Sequence, residues 1–232
     1  MTDEKKMTRR TWGKTAGLGL GLTAASCCST GSAEESGDGN IRYRNEDFYN
    51  NGEFNIEAAK DALVELMRHH HYPVFDGVRD QLWISDYGIG EYASVGLGAL
   101  LFFNHDAEDP GDRFMLLDIY LLPNQMLPEH YHVKSEKARP KMEAWIVRHG
   151  MAEIVGEGEP TSGLKQRIPE SQREHCTVWN AVKCEPGDKV ELNRATARHW
   201  QLAGPEGAIL SEVANFHDND AVRHSNPNLV FP

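Results

Sequence analysis

His130 and His132 stand two residues apart in Pro128-Glu129-His130-Tyr131-His132. On an extended strand, side chains two apart project from one face, so both imidazoles can reach a common point. After a short charged excursion comes Glu143, opening the alternating run Ala144-Trp145-Ile146-Val147 that closes at Gly150. Two imidazoles and a carboxylate suit a borderline divalent metal (Mn, Zn, Co, Fe or Ni) better than calcium. Glu136, four residues beyond His132, is the rival carboxylate. A further imidazole, His199, follows the turn Pro186-Gly187-Asp188, eleven residues after the Asp. A His before a Trp is by itself an ordinary core residue. A turn-strand-turn unit ending in His would nonetheless bring it to the same cation. The set would then leave two positions of an octahedron open for a ligand with adjacent oxygens.

The elements that must carry these residues show mainly a period of two. From Leu82 onward, strand-like runs cover 92–104, 113–122, 143–155, 177–183, 188–192 and 208–216, separated by Gly, Pro, Asn and Asp. Short strands at this spacing predict an all-β sandwich or jelly roll. One helix precedes them: Ile56 to Met67 carries apolar residues at helical spacing behind a capping Asn55. His69-His70-His71 follows at its C-terminal end, where solvated imidazoles are favoured by the helix dipole and consecutive side chains diverge. Residues 156–174 have no apolar period and read as a long excursion over the barrel mouth.

The chain has 232 residues, 40% apolar and 9% aromatic, which fits one substantial domain. Its formal charge is −11, and the acidic excess lies beyond residue 33, an arrangement that repels phosphate backbones and excludes nucleic acid as a partner. Residues 1–33 resemble a twin-arginine export signal: Arg9-Arg10 precede a weakly apolar run from Thr15 to Cys28. The mature protein would be periplasmic, or anchored by a lipid on Cys27 or Cys28. Residues 34–54 read as a linker, and 55–232 as the folded domain. Cys176 and Cys184, eight residues apart on one extended run, would lie ~26 Å from each other and stay free.

Glu143 to Gly150 with the preceding His-x-His resembles the first cupin motif, and Pro186-Gly187-Asp188 with His199 resembles the second. Ten residues separate His132 from Glu143. That gap is wider than the cupin norm, which keeps Glu136 in contention. Within the cupins, residues 82–231 resemble the D-lyxose isomerase family. The likeness runs through Leu82 to Tyr92, Leu127 to His132, Lys141-Met142-Glu143, and Ser211-Glu212-Val213 with the acidic tail from His217. The resemblance implies a double-stranded β-helix and a divalent cation, manganese first, on His130, His132, Glu143 and His199. It also implies an aldose–ketose isomerase acting on a free sugar, with Glu212 as catalytic base and Lys141 contacting substrate. A homodimer, formed by exchange of the N-terminal segment, is expected by the same analogy. Without the resemblance, Lys141 would be a solvated strand-edge charge and Glu212 a partner for Arg198 or Arg223. Another metal cupin enzyme, a dioxygenase or sugar-acid isomerase, and a non-catalytic exported sugar-binding cupin are the alternatives.

Overall fold

The helix forms where the apolar period requires it. α1 runs Ile56–His69, and the Asn55 side chain accepts from the Ala58 amide at its N-terminus. The computed structural model describes residues 41–231. The expected export signal and the expected lipidation positions, Cys27 and Cys28, lie outside them. Residues 45–54, expected as linker, instead form a 3-10 turn (Asn45–Phe48) and a two-strand ribbon, β1 (Tyr49–Asn50) with β2 (Glu53–Phe54). The reason is apolar: Phe48 is fully buried, its ring 5.0 Å from that of Tyr92, and the Tyr43 hydroxyl donates to Glu65 on α1.

A short helix, α2 (Val78–Gln81), leads into β3 (Trp83–Ser85), β4 (Leu97–His105), β5 (Phe114–Leu121) and β6 (Met126–His132). β4 starts later than the apolar run because residues 87–95 are taken up by turns, with Gly88 and Gly90 at positive φ. β7 (Glu143–Gly156) is followed by two short helices, α3 (Leu164–Arg167) and α4 (Glu170–Arg173). Then come β8 (Asn180–Cys184), β9 (Lys189–Glu191), β10 (His199–Ala214) and β11 (Val222–His224).

β10 organises the barrel. Its first part, from His199, lies between β6 and the end of β7, and its second part, from Ala208, between β5 and the start of β7. Two sheets therefore face each other and share bent strands, which is the double-stranded β-helix expected from the strand pattern. The run expected at 208–216 starts earlier, at His199, and continues through a bend at Gly204-Pro205-Glu206-Gly207. Gly150 of β7 faces that bend at φ +69°, and a Cβ there would lie 2.2 Å from the Gly207 carbonyl oxygen. Only glycine fits both the dihedral and the approach.

The interior is filled by inward residues such as Leu97, Ile119, Leu127, Trp145 and Leu210. Outside, α1 covers Leu100, Tyr120 and Ile209. It sits so close that a Cβ on Gly98 would fall 2.1 Å from Leu63 Cδ1. The 156–174 excursion does not lie over the mouth. Leu164 and Ile168 are buried on the outer face with Met126, Trp200 and Leu202, because this sheet has apolar residues on both sides.

Residues 177–179, expected at the start of a strand, are irregular, and β8 begins at Asn180. The Thr177 and Val178 amides donate to the buried Glu129 carboxylate, 2.7 and 3.0 Å, instead of to a neighbouring strand. Cys176 and Cys184 are free and buried, as their spacing requires. Burial pushes the Cys176 thiol up to about 12. Of the three consecutive histidines, His71 is exposed and His70 Nε2 meets the Glu206 carbonyl at 2.8 Å. None is near the imidazole pair on β6.

Candidate metal centre and catalytic carboxylate

His130 and His132 project inward from β6, and His199 from the start of β10 is the direct cross-strand partner of His130. The His130 and His199 rings are 4.3 Å apart, those of His130 and His132 5.2 Å. Glu143, the first residue of β7, faces them from the other sheet. Its two oxygens are 3.0 Å from His132 Nε2 and 3.1 Å from His199 Nε2. All four residues offer ligand atoms within 4.8 Å of one another. Glu136 is exposed on the 133–140 loop and takes no part, so Glu143 is the carboxylate of the cluster.

The donor set fits a cation for a reason beyond proximity. His130 Nδ1 and His199 Nδ1 each lie 3.0 Å from a backbone carbonyl, of Pro128 and Ala197. A carbonyl can only accept, so Nδ1 carries the proton and Nε2 keeps its lone pair. His132 Nε2, His199 Nε2 and Glu143 Oε2 are all buried without a hydrogen-bond partner. Atoms at hydrogen-bonding distance that make no such bond, aimed at a shared centre, are what a metal ion would satisfy. Burial holds His130 well below its ordinary value and brings His132 to about 4, so both are neutral at pH 7. Burial works the same way on His199, but the Glu143 carboxylate overrides it and raises the imidazole.

Lys141 and Glu212 join this cluster. Neither is solvated, and neither meets an arginine. Lys141 Nζ is buried and 3.0 Å from both Glu143 Oε1 and Glu212 Oε1. Glu212 lies on the second part of β10, opposite Trp145 in register, and Trp145 Nε1 donates to its Oε2 at 3.0 Å. Burial alone would neutralise all three charges. For Lys141 the two carboxylates prevail and its value is raised; for Glu143 the surrounding Lys141, His132 and His199 hold it well below the carboxylate range. Glu212 goes the other way: burial raises it, Lys141 opposes, and the Glu143 charge adds to the rise. The two carboxylates thus split into a ligand-type anion and a more basic group, a division that suits one to a metal and the other to proton transfer. Arg198 instead approaches Glu129 at 3.5 Å, and Arg223 donates to backbone carbonyls.

The cluster opens into a cavity between the sheets. Leu97, Leu117, Ile119 and Leu127 form apolar walls, with Gln201 among them. The C-terminal tail contributes aromatic lining that the sequence reading did not foresee. The Phe231 ring is 5.3 Å from that of Trp83 and 5.3 Å from His224. The Val230 amide ties this tail to the Tyr87 carbonyl at 2.9 Å. Trp145 was read only as a strand residue, and its hydrogen bond to Glu212 depends on cross-strand register that no local pattern carries.

No family model matches the chain. Curated proteins do. The D-lyxose/D-mannose isomerase of Thermosediminibacter oceani is 26% identical over 174 residues, 75% of this chain and 92% of that protein. The D-lyxose ketol-isomerase of Cohnella laeviribosi is 29% identical over 157 residues, covering 68% and 82%. Among solved structures, the ligand-free L-ribose isomerase of Cellulomonas parahominis superposes with a TM-score of 0.59 at 14% identity, over 75% of this chain and 92% of that one. That last likeness is one of fold. The chain resembles the D-lyxose isomerases in sequence and has a double-stranded β-helix architecture.

Proposed function

We propose that this chain is a metal-dependent aldose–ketose isomerase of free sugars, interconverting D-lyxose and D-xylulose or D-mannose and D-fructose. The observation that carries the reading is a buried, basic Glu212 held by Lys141 and Trp145 beside a four-residue ligand cluster. The names of the similar curated proteins supply the substrate class. A divalent cation held by His130, His132, Glu143 and His199, manganese first, would polarise the sugar oxygens on C1 and C2 and so acidify the C2 hydrogen.

The protein's own groups then move the proton. Glu212 removes it from C2, and the C–H electron pair becomes the C1–C2 double bond as the carbonyl pair moves onto O1. The hydroxyl proton passes from O2 to O1, the O2 electron pair forms the new C2 carbonyl, and the C1–C2 pair takes the proton back from Glu212 at C1. A carboxyl raised above its usual value is a better match for so weak an acid. Trp145 on Oε2 and Lys141 on Oε1 together fix the orientation of the Glu212 carboxyl, and Lys141 places positive charge beside the oxygens whose charge shifts. The apolar walls keep bulk water from the intermediate.

The test is solvent-deuterium incorporation at C2 of lyxose or mannose. Wild type is expected to incorporate label and form ketose without consuming oxygen. Glu212→Gln is expected to lose ~10²–10⁴-fold in rate with metal content unchanged. Full exchange by that variant removes Glu212 from the role. Oxygen uptake with Fe(II) in place of ketose formation overturns the isomerase reading.

A further inference from the structure

Among the described residues, few buried side-chain polar atoms lack a partner. Three of them, on His132, His199 and Glu143, belong to the ligand cluster. Another, Gln201 Oε1, does not. Gln201 is 1% exposed and lines the cavity, paired in register with Leu127. It follows His199 by two residues on β10, and the intervening Trp200 packs on the outer face. Both side chains therefore point inward, ~7 Å apart along the strand.

An unpartnered amide oxygen in an apolar wall is costly, and a hydrophobic residue of equal volume would remove the cost. The walls nearby are Leu97, Ala99, Leu117, Ile119 and Leu127, none of which can donate to it. A ligand hydroxyl can. With C1 and C2 of a sugar at the ligand cluster, a group ~7 Å further along the strand lies beside the far carbons of an open chain.

We infer that Gln201 is a specificity-determining residue: its amide oxygen accepts a hydrogen bond from a hydroxyl at the distal end of an open-chain sugar. The inference rests on the isomerase reading and deepens it. A site built to bond a hydroxyl rejects the analogue that lacks it, because the amide is then left unpaired.

The experiment compares wild type with Gln201→Met, which keeps volume and removes the acceptor. Metal content and melting temperature are measured first, then binding of the polyol xylitol by calorimetry. Last come kcat and KM for the aldose and for its analogues lacking one distal hydroxyl. The expected result is unchanged metal content, an equal or higher melting temperature, and polyol affinity weakened about tenfold. Wild type should discriminate against one deoxy analogue, and the variant should not. A merely structural role would lower the melting temperature and leave the substrate-to-analogue ratio where it was. That outcome overturns the inference, as does unchanged xylitol affinity in the variant or no xylitol binding by wild type. If wild type binds xylitol through Gln201 but isomerises no aldose, the isomerase reading fails while the polyol contact stands.

Discussion

Lys141 is shared by Glu143 and Glu212 at equal distances, yet the two carboxylates differ in character because their other neighbours differ. Imidazoles surround Glu143; an indole and a second acid flank Glu212. Glu143→Gln is expected to lower metal affinity at least about tenfold, and Glu136→Gln to leave it unchanged, as read by metal analysis after dialysis. Equal loss in both would return Glu136 to the ligand set. The Cys176 thiol, packed with Trp200 and Leu202 on the outer face, supplies a second check at this scale. Its value in the folded protein is about 12 against an ordinary 9.0, raised chiefly by burial. The folded state thus holds the proton more tightly, so its contribution to stability is complete below pH 9 and is lost as pH rises from there toward 12. Denaturation midpoints measured across that range should fall less steeply in Cys176→Ala.

The sharing of β7 and β10 between two sheets is what brings His199 and Glu212, thirteen residues apart on one strand, to the same cavity. The bend that allows it is crowded: Gly150 faces the Gly207 carbonyl. Gly150→Ala would combine a left-handed dihedral with a backbone clash, and a loss of about 2 kcal/mol or more is expected from chemical denaturation. Because Gly150 and Glu143 lie on the same strand, metal affinity should fall with it. Stability unchanged within about 0.5 kcal/mol would show that the bend relaxes without cost. Strand positions on β5, β7 and β9 were legible from alternation alone. β10 was read as starting nine residues late, since a Gly-Pro-Glu-Gly sequence carries every local sign of a turn, and only pairing on both sides keeps it extended.

At the scale of the whole molecule, the ligand cluster joins strands from opposite sheets. A cation bound there ties the folded state together and has no equivalent site in the unfolded chain. At a free ion concentration of 100 Kd the added stability is ~2.7 kcal/mol. Removing metal with a chelator should therefore lower Tm by roughly 5–10 °C, at ~2–4 °C per kcal/mol, with recovery on adding Mn. The same treatment of Glu143→Gln should move Tm much less. A Tm that ignores chelator in the metal-loaded wild type would mean that the cluster holds no ion that matters to folding.

The sequence by itself determined the residue types: two imidazoles at strand spacing, a carboxylate opening an alternating run, a His after a Pro-Gly-Asp turn, and a helix with one apolar face. These are local, because periodicity and capping act within a few residues. The family resemblance already favours Glu143 over Glu136, and the tertiary structure brings Glu143 to the imidazoles while Glu136 stays exposed. Tertiary structure alone placed Trp145 and Lys141 on Glu212, folded residues 45–54 onto α1, and carried the 156–174 segment to the outer face. Each of those outcomes depends on which strands lie side by side and in what register, and register is decided by the burial of whole faces at once.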